Sequence, residues 1–383
     1  MASKIRVRSL FFFAALVLTG SCIESFQPPT TLTEFNYLIV NGFLIDGEDS
    51  TVIKLSRTQT LANKPNEVRE FNARVQVEED NGTIHLLEDR KNGSYAMAPL
   101  NLNEQTPYRI KIKTSDGKEY VSDYTPLKTS PSVDDFRWQK EENGVRISLD
   151  THDPKNESRF YFWSYLETWK YNSAGLSGYF YDNGVIKSRA SLDEIYYCWK
   201  TMPSGKISIY SSKALAQDVV KKYDLLFIPY ESRKLYYEYS ILVKQHVITE
   251  EAYIYWVNTI KNSENAGSIY APIPSQVIGN IHCVTDPSEQ VIGYFSASSI
   301  TTKRVSIDRQ EIPGPSKPYE NEGFLGCNDQ IVLPNDSRLS YLIIRDKKYD
   351  LITGEFIGYS VSPASCLDCR AQGGENVRPP FWN

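Results

Sequence analysis

The feature that most constrains the fold is a pair of short alternating segments, each closed by a two-residue turn. Ala73-Arg-Val-Gln-Val-Glu78 alternates apolar and polar residues, which places Val75 and Val77 on one face of a strand. Asn81-Gly82 follows, a pair that tolerates positive φ, and Thr83–Leu87 forms the return strand. Tyr108–Lys113 alternates again, Asp116-Gly117 turns the chain, and Glu119–Tyr124 returns. Tyr37–Ile45 and Thr51–Arg57 add two more strands ahead of these. Short strands at this spacing, over roughly 95 residues, predict a β-sandwich of immunoglobulin- or fibronectin-III-like type. Its expected bounds are 35–128.

Thr129-Ser-Pro-Ser132 marks a boundary, and a second set of strands opens beyond it. Phe136–Gln139 and Val145–Leu149 flank Asn143-Gly144, and Arg159–Trp169 is a long aromatic strand. An irregular insertion is expected at 171–230, followed by a strand at Tyr236–Lys244. One amphipathic helix is signalled over 250–261. Thr249 caps it, Glu250 and Glu251 occupy the first turn, and Ile248 and Tyr253 are spaced as a staple. Tyr253, Trp256, Val257 and Ile260 form the face expected to pack on the second sandwich. Strands are expected again at Gln276–Ile281, Gln290–Ser296, Lys303–Ile307 and Leu339–Arg345, with a proline-rich loop at Pro313–Pro318. The expectation is an all-β chain of two sandwiches. The second, 131–383, carries the insertion, the helix and a cysteine-containing tail, and no fixed-period repeat points to a solenoid or propeller.

The first residues form an address. Lys4, Arg6 and Arg8 precede the apolar run Leu10–Leu18, then come Thr19-Gly20-Ser21 and Cys22. The run is too short to span a bilayer and has the flanks of a secretory signal. A cysteine directly after the small residues predicts cleavage of 1–21 and lipid attachment at Cys22, with 22–34 as an extended tether through Pro28-Pro29. The formal charge is −5, and loss of three basic residues with the leader makes the mature chain more negative. That balance argues against a general nucleic-acid binder. The 26 tyrosines against 3 methionines fit a β-rich protein and also a recognition surface, since Tyr offers rigid contact area with a polar tip.

Apart from Cys22, the cysteines are Cys198, Cys283, Cys327, Cys366 and Cys369. In an exported chain disulfides are the default, and an odd number leaves one thiol free or paired between chains. Buried free thiols are the second reading. The third is a redox or metal role for Cys366-Leu-Asp-Cys369, although zinc would need two further ligands that no neighbouring motif supplies. The histidines His85, His152, His246 and His282 form no metal-binding pair, and His282 and Cys283 would face opposite sides of a strand. Asp153-Pro-Lys-Asn-Glu157 reads as a turn rather than a calcium loop. Asp134-Asp135 and Glu78-Glu79-Asp80 are acidic runs, and no local motif of a nucleophile, phosphate loop or metalloprotease is present. The expectation is a non-enzymatic protein with no cofactor, no metal and no nucleic-acid partner. A hydrolase with dispersed carboxylates stands as an alternative, because such a pair needs no proximity in sequence.

The C-terminal Cys366-Leu-Asp-Cys369-Arg370, Gly373-Gly374 and Pro379-Pro-Phe-Trp382 resemble the ending of the domain-of-unknown-function 4249 family. Tyr239-Ser240, Gly279-Asn280-Ile281 and Gly293-Tyr294-Phe295-Ser296 resemble it as well. The resemblance implies an outer-membrane lipoprotein of Bacteroidota, an accessory of a TonB-dependent receptor, and it carries over no catalytic residue. Ile23-Glu24-Ser25-Phe26 holds a single acidic residue after Cys22, so the periplasmic and the cell-surface face both stay open. The expected contact surface is the aromatic stretch 160–200, with Tyr161, Tyr165, Trp169, Tyr179, Tyr181 and Trp199, while Trp163 is expected in the core. A surface glycan-binding or adhesin module is the other binding alternative, because aromatic platforms also stack on sugars.

Overall fold

Valine and isoleucine at alternate positions of Arg74–Glu79 and Tyr108–Lys113 bury one face of each strand, and this is where the first core begins. The computed structural model describes residues 36–59, 67–265, 277–312 and 327–382. The leader, Cys22, the tether and the Pro313–Pro318 loop lie outside the described residues. Asn36, Thr58 and Gln59 fall in a separate small unit. All other described residues belong to one compact unit, Tyr37–Arg57 with Glu67–Asn383.

The chain is all-β and folds as β-sandwiches. In the first, Glu119–Ser122, Tyr108–Lys113 and Arg74–Glu79 lie side by side and antiparallel. Ile84–Asp89 then pairs with Arg74–Glu79 through its first residues and with Ser94–Met97 through Glu88 and Asp89. That strand carries the sheet around onto itself. Val75, Val77, Ile110 and Ile112 therefore share one core with Leu38, Ile53, Leu55 and Tyr95. The two expected hairpin turns form with a single residue in the left-handed region each, Gly82 (φ 92°) and Gly117 (φ 90°). The preceding Asn81 and Asp116 contribute through their side chains, which accept the N–H of Thr83 and Lys118.

Residues 281–299, placed by the sequence boundaries in the second sandwich, complete the first instead. Ile281–Cys283 pairs antiparallel with Glu119–Ser122, and Val291–Ile292 runs parallel to Leu38–Asn41. Ala297–Ser299 lies parallel between Leu44–Asp46 and Leu127–Lys128. These strands of two or three residues are too short to show an alternating pattern, and parallel pairing needs a long crossover that leaves no local turn signal. The family-like motifs meet here. Asn280 donates from Nδ2 to the Phe295 carbonyl at 2.9 Å and accepts the Phe295 N–H at 2.8 Å. A Cβ on Gly279 would stand 1.9 Å from the Gly293 carbonyl oxygen, so only glycine permits this approach.

The second sandwich faces Val133–Lys140, Gly144–His152 and Val219–Pro229 against Tyr197–Pro203, Phe160–Asn172, Glu238–Val247 and Thr301–Asp308, with Ser208–Ser211 extending the Phe160 end. Val145, Ile147 and Leu149 meet Tyr161, Trp163, Tyr239 and Ile241 in its core. Val219–Pro229 is a sandwich strand and not part of an insertion. Two register shifts against Gly144–His152, with Lys222 at φ 54°, break the alternation that sequence reading depends on. What remains of the insertion contains the hairpin Tyr179–Asp182 with Val185–Ser188. Its Tyr179 and Ile186 pack on a small sheet of Gln330–Val332, Phe356–Ser362 and Ile343–Tyr349.

The helix spans Glu250–Asn265, four residues longer than expected. Thr249 Oγ1 accepts the Ala252 N–H at 3.2 Å, as a capping residue should. Ala252 and Tyr255 are buried, Trp256 is half-buried, and Ile254 is exposed. Tyr253 and Trp256 of the expected face pack on Phe160 and Phe162, and the buried face extends beyond them to Ala252 and Tyr255. Phe43 and Tyr294 of the first sandwich share the contact with Phe160 and Phe162 of the second, so the helix packs on both.

Disulfides join Cys198 to Cys369 and Cys327 to Cys366, and Cys283 is a buried free thiol. The Cys366-Leu-Asp-Cys369 motif does not close on itself, and each of its cysteines ties the tail to a different element.

Candidate binding site

The long strand Phe160–Asn172 sends its odd-numbered side chains into the sandwich. Tyr161, Trp163, Tyr165 and Trp169 are at most 7% exposed. Trp163 sits in the core as expected. Tyr161, Tyr165 and Trp169 correct the expected contact surface, because their side chains point into the sandwich core from a strand paired on both edges. Two of the polar tips are bonded inside. Trp163 Nε1 donates to Gln245 Oε1 at 2.9 Å, and the Tyr161 hydroxyl donates to Asp218 at 3.1 Å. Burial raises the Tyr165 phenol to about 12. Tyr179 is half-buried against the small sheet, Tyr181 is exposed, and Trp199 is half-buried on the outer face.

Where this strand reaches the tail, Trp169 and Tyr171 form the floor of a pocket of about 230 Å³. Three basic residues rim it: Lys200, Arg233 and Lys234. Ser232 starts the turn Arg233–Leu235 by accepting the Lys234 N–H, which puts two consecutive cations on the same lip. The Arg233 guanidinium lies 4.7 Å from the Tyr171 ring centroid, and the Lys234 ammonium lies 5.3 Å from that of Trp169. Lys234 pairs with Glu167 at 2.7 Å, and the Tyr239 hydroxyl donates to the same carboxylate at 2.8 Å. Burial, and next the Glu167 charge, push the Tyr239 phenol far upward, so it stays a donor. The tail closes the pocket. Arg233 Nη1 donates to Gln372 Oε1 at 2.7 Å, Lys200 Nζ donates to the Gln372 carbonyl at 3.1 Å, and Tyr171 donates to the Cys369 carbonyl at 2.7 Å. Glu375 pairs backbone to backbone with Trp199. The family-like tail residues therefore have structural work. Gly374 passes so close to Tyr171 that a Cβ would meet its hydroxyl oxygen at 2.2 Å.

The site joins Trp169 of the expected surface to residues that sequence reasoning missed: Tyr171, Lys200, Arg233 and Lys234. The Arg233-Lys234 pair after Ser232 was a visible signal, but nothing local tied it to a residue 64 positions earlier. Beside the pocket, Lys170 places its ammonium 4.5 Å from the Tyr197 centroid and 5.7 Å from those of Trp199 and Tyr237. That aromatic cage is filled by the protein's own cation.

The remaining candidate chemistry is engaged in structure. Asp153 accepts the N–H groups of Lys155, Glu157 and Ser158, which makes its loop a side-chain-capped turn. His152 bonds Asp134 at 2.8 Å and His85 bonds Glu79 at 2.8 Å. Glu78 holds Arg109 at 2.7 Å. Among the described residues no three His, Cys, Asp or Glu are grouped to hold a metal ion, and no helix is long and apolar enough to cross a membrane.

Compared with known proteins, the chain matches the family described as "Domain of unknown function (DUF4249)" over residues 23–304. Comparison with curated proteins gives no match. Among solved structures, a two-domain fibronectin type-III segment of chicken tenascin is similar at 13% identity. The likeness covers 54% of this chain and 88% of that one, with a TM-score of 0.16.

Proposed function

The chain belongs to the DUF4249 family, and from that premise we propose a lipid-anchored, non-enzymatic outer-membrane protein that binds a TonB-dependent receptor or that receptor's cargo. The leader ending at Cys22 supports the anchor. The engagement of His85, His152 and the paired cysteines in structural contacts supports a binding role over catalysis.

The observation that carries the binding reading is the pocket of Trp169 and Tyr171 under Lys200, Arg233 and Lys234. Trp169 and Tyr171 are buried beneath Arg233 and Lys234, so what the pocket can take is an anionic group met by the basic rim. Lys200 donates one hydrogen bond to the tail, and an ammonium has three to give. The expected ligand group is therefore a carboxylate, sulfate or phosphate, carried by the receptor or by its cargo.

Capture of the protein from membranes dissolved in mild detergent tests this. A receptor should come with it, and Lys200→Glu should cut the recovery by at least tenfold, since reversing a charge at an interface costs a few kcal/mol. Recovery as a lone monomer in several detergents contradicts the proposal, as does a receptor yield that Lys200→Glu leaves unchanged. The same basic rim also favours an acidic glycan as a second reading. A glycan array separates the two, because sugar binding without a receptor partner supports the second.

A further inference from the structure

The small sheet ends in a hairpin whose tip is built from apolar residues. Ile343–Tyr349 and Phe356–Ser362 pair antiparallel and close at Tyr349 and Phe356. Between them Leu351 is 102% exposed and Ile352 96% exposed. A disordered loop would carry such residues with its backbone open to water, but this turn is internally bonded. The Asp350 carboxylate accepts the N–H of Ile352 at 2.9 Å and of Thr353 at 2.8 Å. Asp350 and Gly354 are joined through N–H to carbonyl at 3.0 Å, Asp350 and Glu355 at 2.8 Å, and Gly354 takes φ 73°. The strands beneath are held by Cys327–Cys366, so the tip is presented on a fixed stem.

The hairpin is layered along its length. Behind the aliphatic tip come Tyr349 and Phe356, half exposed, with ring centroids 5.8 Å apart. Behind those come Lys347 and Lys348, neither of which makes an ion pair with a described residue, whereas Arg345 next to them is held by Asp329 at 2.9 Å. At about 3.3 Å per residue the lysines sit roughly 10 Å behind the tip. Aliphatic, aromatic and basic groups in that order match the depth profile of a bilayer leaflet, from acyl chains through interface to phosphates. The tip is convex, which suits a deformable lipid surface rather than a rigid apolar groove. The N–H groups of Ile352, Thr353, Gly354 and Glu355 are already bonded within the turn, which lowers part of the cost of leaving water. The exposed Glu355 carboxylate stands in the tip beside the turn-bonded Asp350, so entry is limited to the side chains of Leu351 and Ile352.

We propose that Leu351 and Ile352 insert into the acyl region of a phospholipid leaflet, with Lys347 and Lys348 on its phosphates, so that the folded protein has a second membrane contact independent of Cys22. The contact goes beyond the anchor and pocket described above and needs neither to be correct.

Flotation with vesicles tests it. The full chain carrying Cys22→Ser, which removes the acylated thiol, is mixed with vesicles of phosphatidylethanolamine and phosphatidylglycerol. It should float with them. Leu351→Asp with Ile352→Asp should reduce the bound fraction at least tenfold while thermal unfolding stays unchanged, since both side chains are fully exposed. Lys347→Gln with Lys348→Gln should weaken flotation only when phosphatidylglycerol is present. Failure of the Cys22→Ser chain to float overturns the proposal, and so does equal flotation of the Asp variant. Binding of the tip to a detergent-extracted protein but not to lipid overturns it too. The outcome does not depend on whether Cys22 is acylated in the cell, so the two ideas fail separately.

Discussion

His246 lies on Phe43 with ring centroids 4.5 Å apart and is wholly enclosed, and its Nδ1 has no hydrogen-bond partner among the described residues. Burial, with Lys244 as a smaller cause, lowers its pKa to about 3 from 6.5. The native state therefore leaves it neutral while the unfolded chain protonates it below about pH 6.5. Stability is unaffected above that pH and falls as the pH drops from 6.5 toward 3, by up to about 1.4 kcal/mol per unit. Urea unfolding at pH 7 and pH 5 should show this loss, and His246→Phe should reduce it; an identical pH dependence in the variant contradicts the assignment. At this scale the sequence marked Trp163 as core correctly. It placed Tyr161, Tyr165 and Trp169 at a surface because a run of aromatic residues carries no sign of which face is covered. Cover on both sides comes from Glu238–Val247 and Val219–Pro229, neither adjacent in the chain.

Elements with strict alternation and a glycine turn were legible, as Arg74–Glu79 and Tyr108–Lys113 show. The helix was legible through Thr249 and its acidic first turn, and so was its contact through Tyr253 and Trp256; the extension of the buried face to Ala252 and Tyr255 was not, because two sandwiches share the helix. Elements whose pattern is bent by a bulge, such as Val219–Pro229, or cut to two residues, such as Val291–Ile292, were not. Cysteine pairing was open at the sequence level and is settled by which strands the tail meets. The Cys327–Cys366 link closes 39 residues, and its loss should cost roughly 3–4 kcal/mol on loop entropy. That cost should fall on the small sheet alone, whose own core is Val332, Leu339, Ile344 and Val361. With both cysteines changed to Ser, hydrogen exchange should speed up over 343–362 while the amides of 161–171 stay protected. Equal loss of protection in both would mean that the small sheet is not a separable unit.

Across the whole molecule, the all-β class followed from turns and alternation, but the division of the chain did not. The chain leaves the first sandwich near Lys128, builds most of the second, and comes back through Ile281–Ser299 before adding Thr301–Asp308. Only pairing across more than 150 residues, antiparallel at Ile281–Cys283 and parallel beyond it, could have revealed that return, and no local pattern encodes it. The candidate pocket shares this origin, since Gln372 joins Trp169 and Arg233 there through the tail that Cys198–Cys369 ties down. All of it is proposed to work at a membrane, held there by Cys22. The mass of the protein's N-terminal peptide, taken from the membrane fraction of its native cells, tests that most directly. It should begin at Cys22 and carry a diacylglyceryl group with or without a further acyl chain. A peptide that begins at Met1, or one cut elsewhere with an unmodified Cys22, would contradict the account.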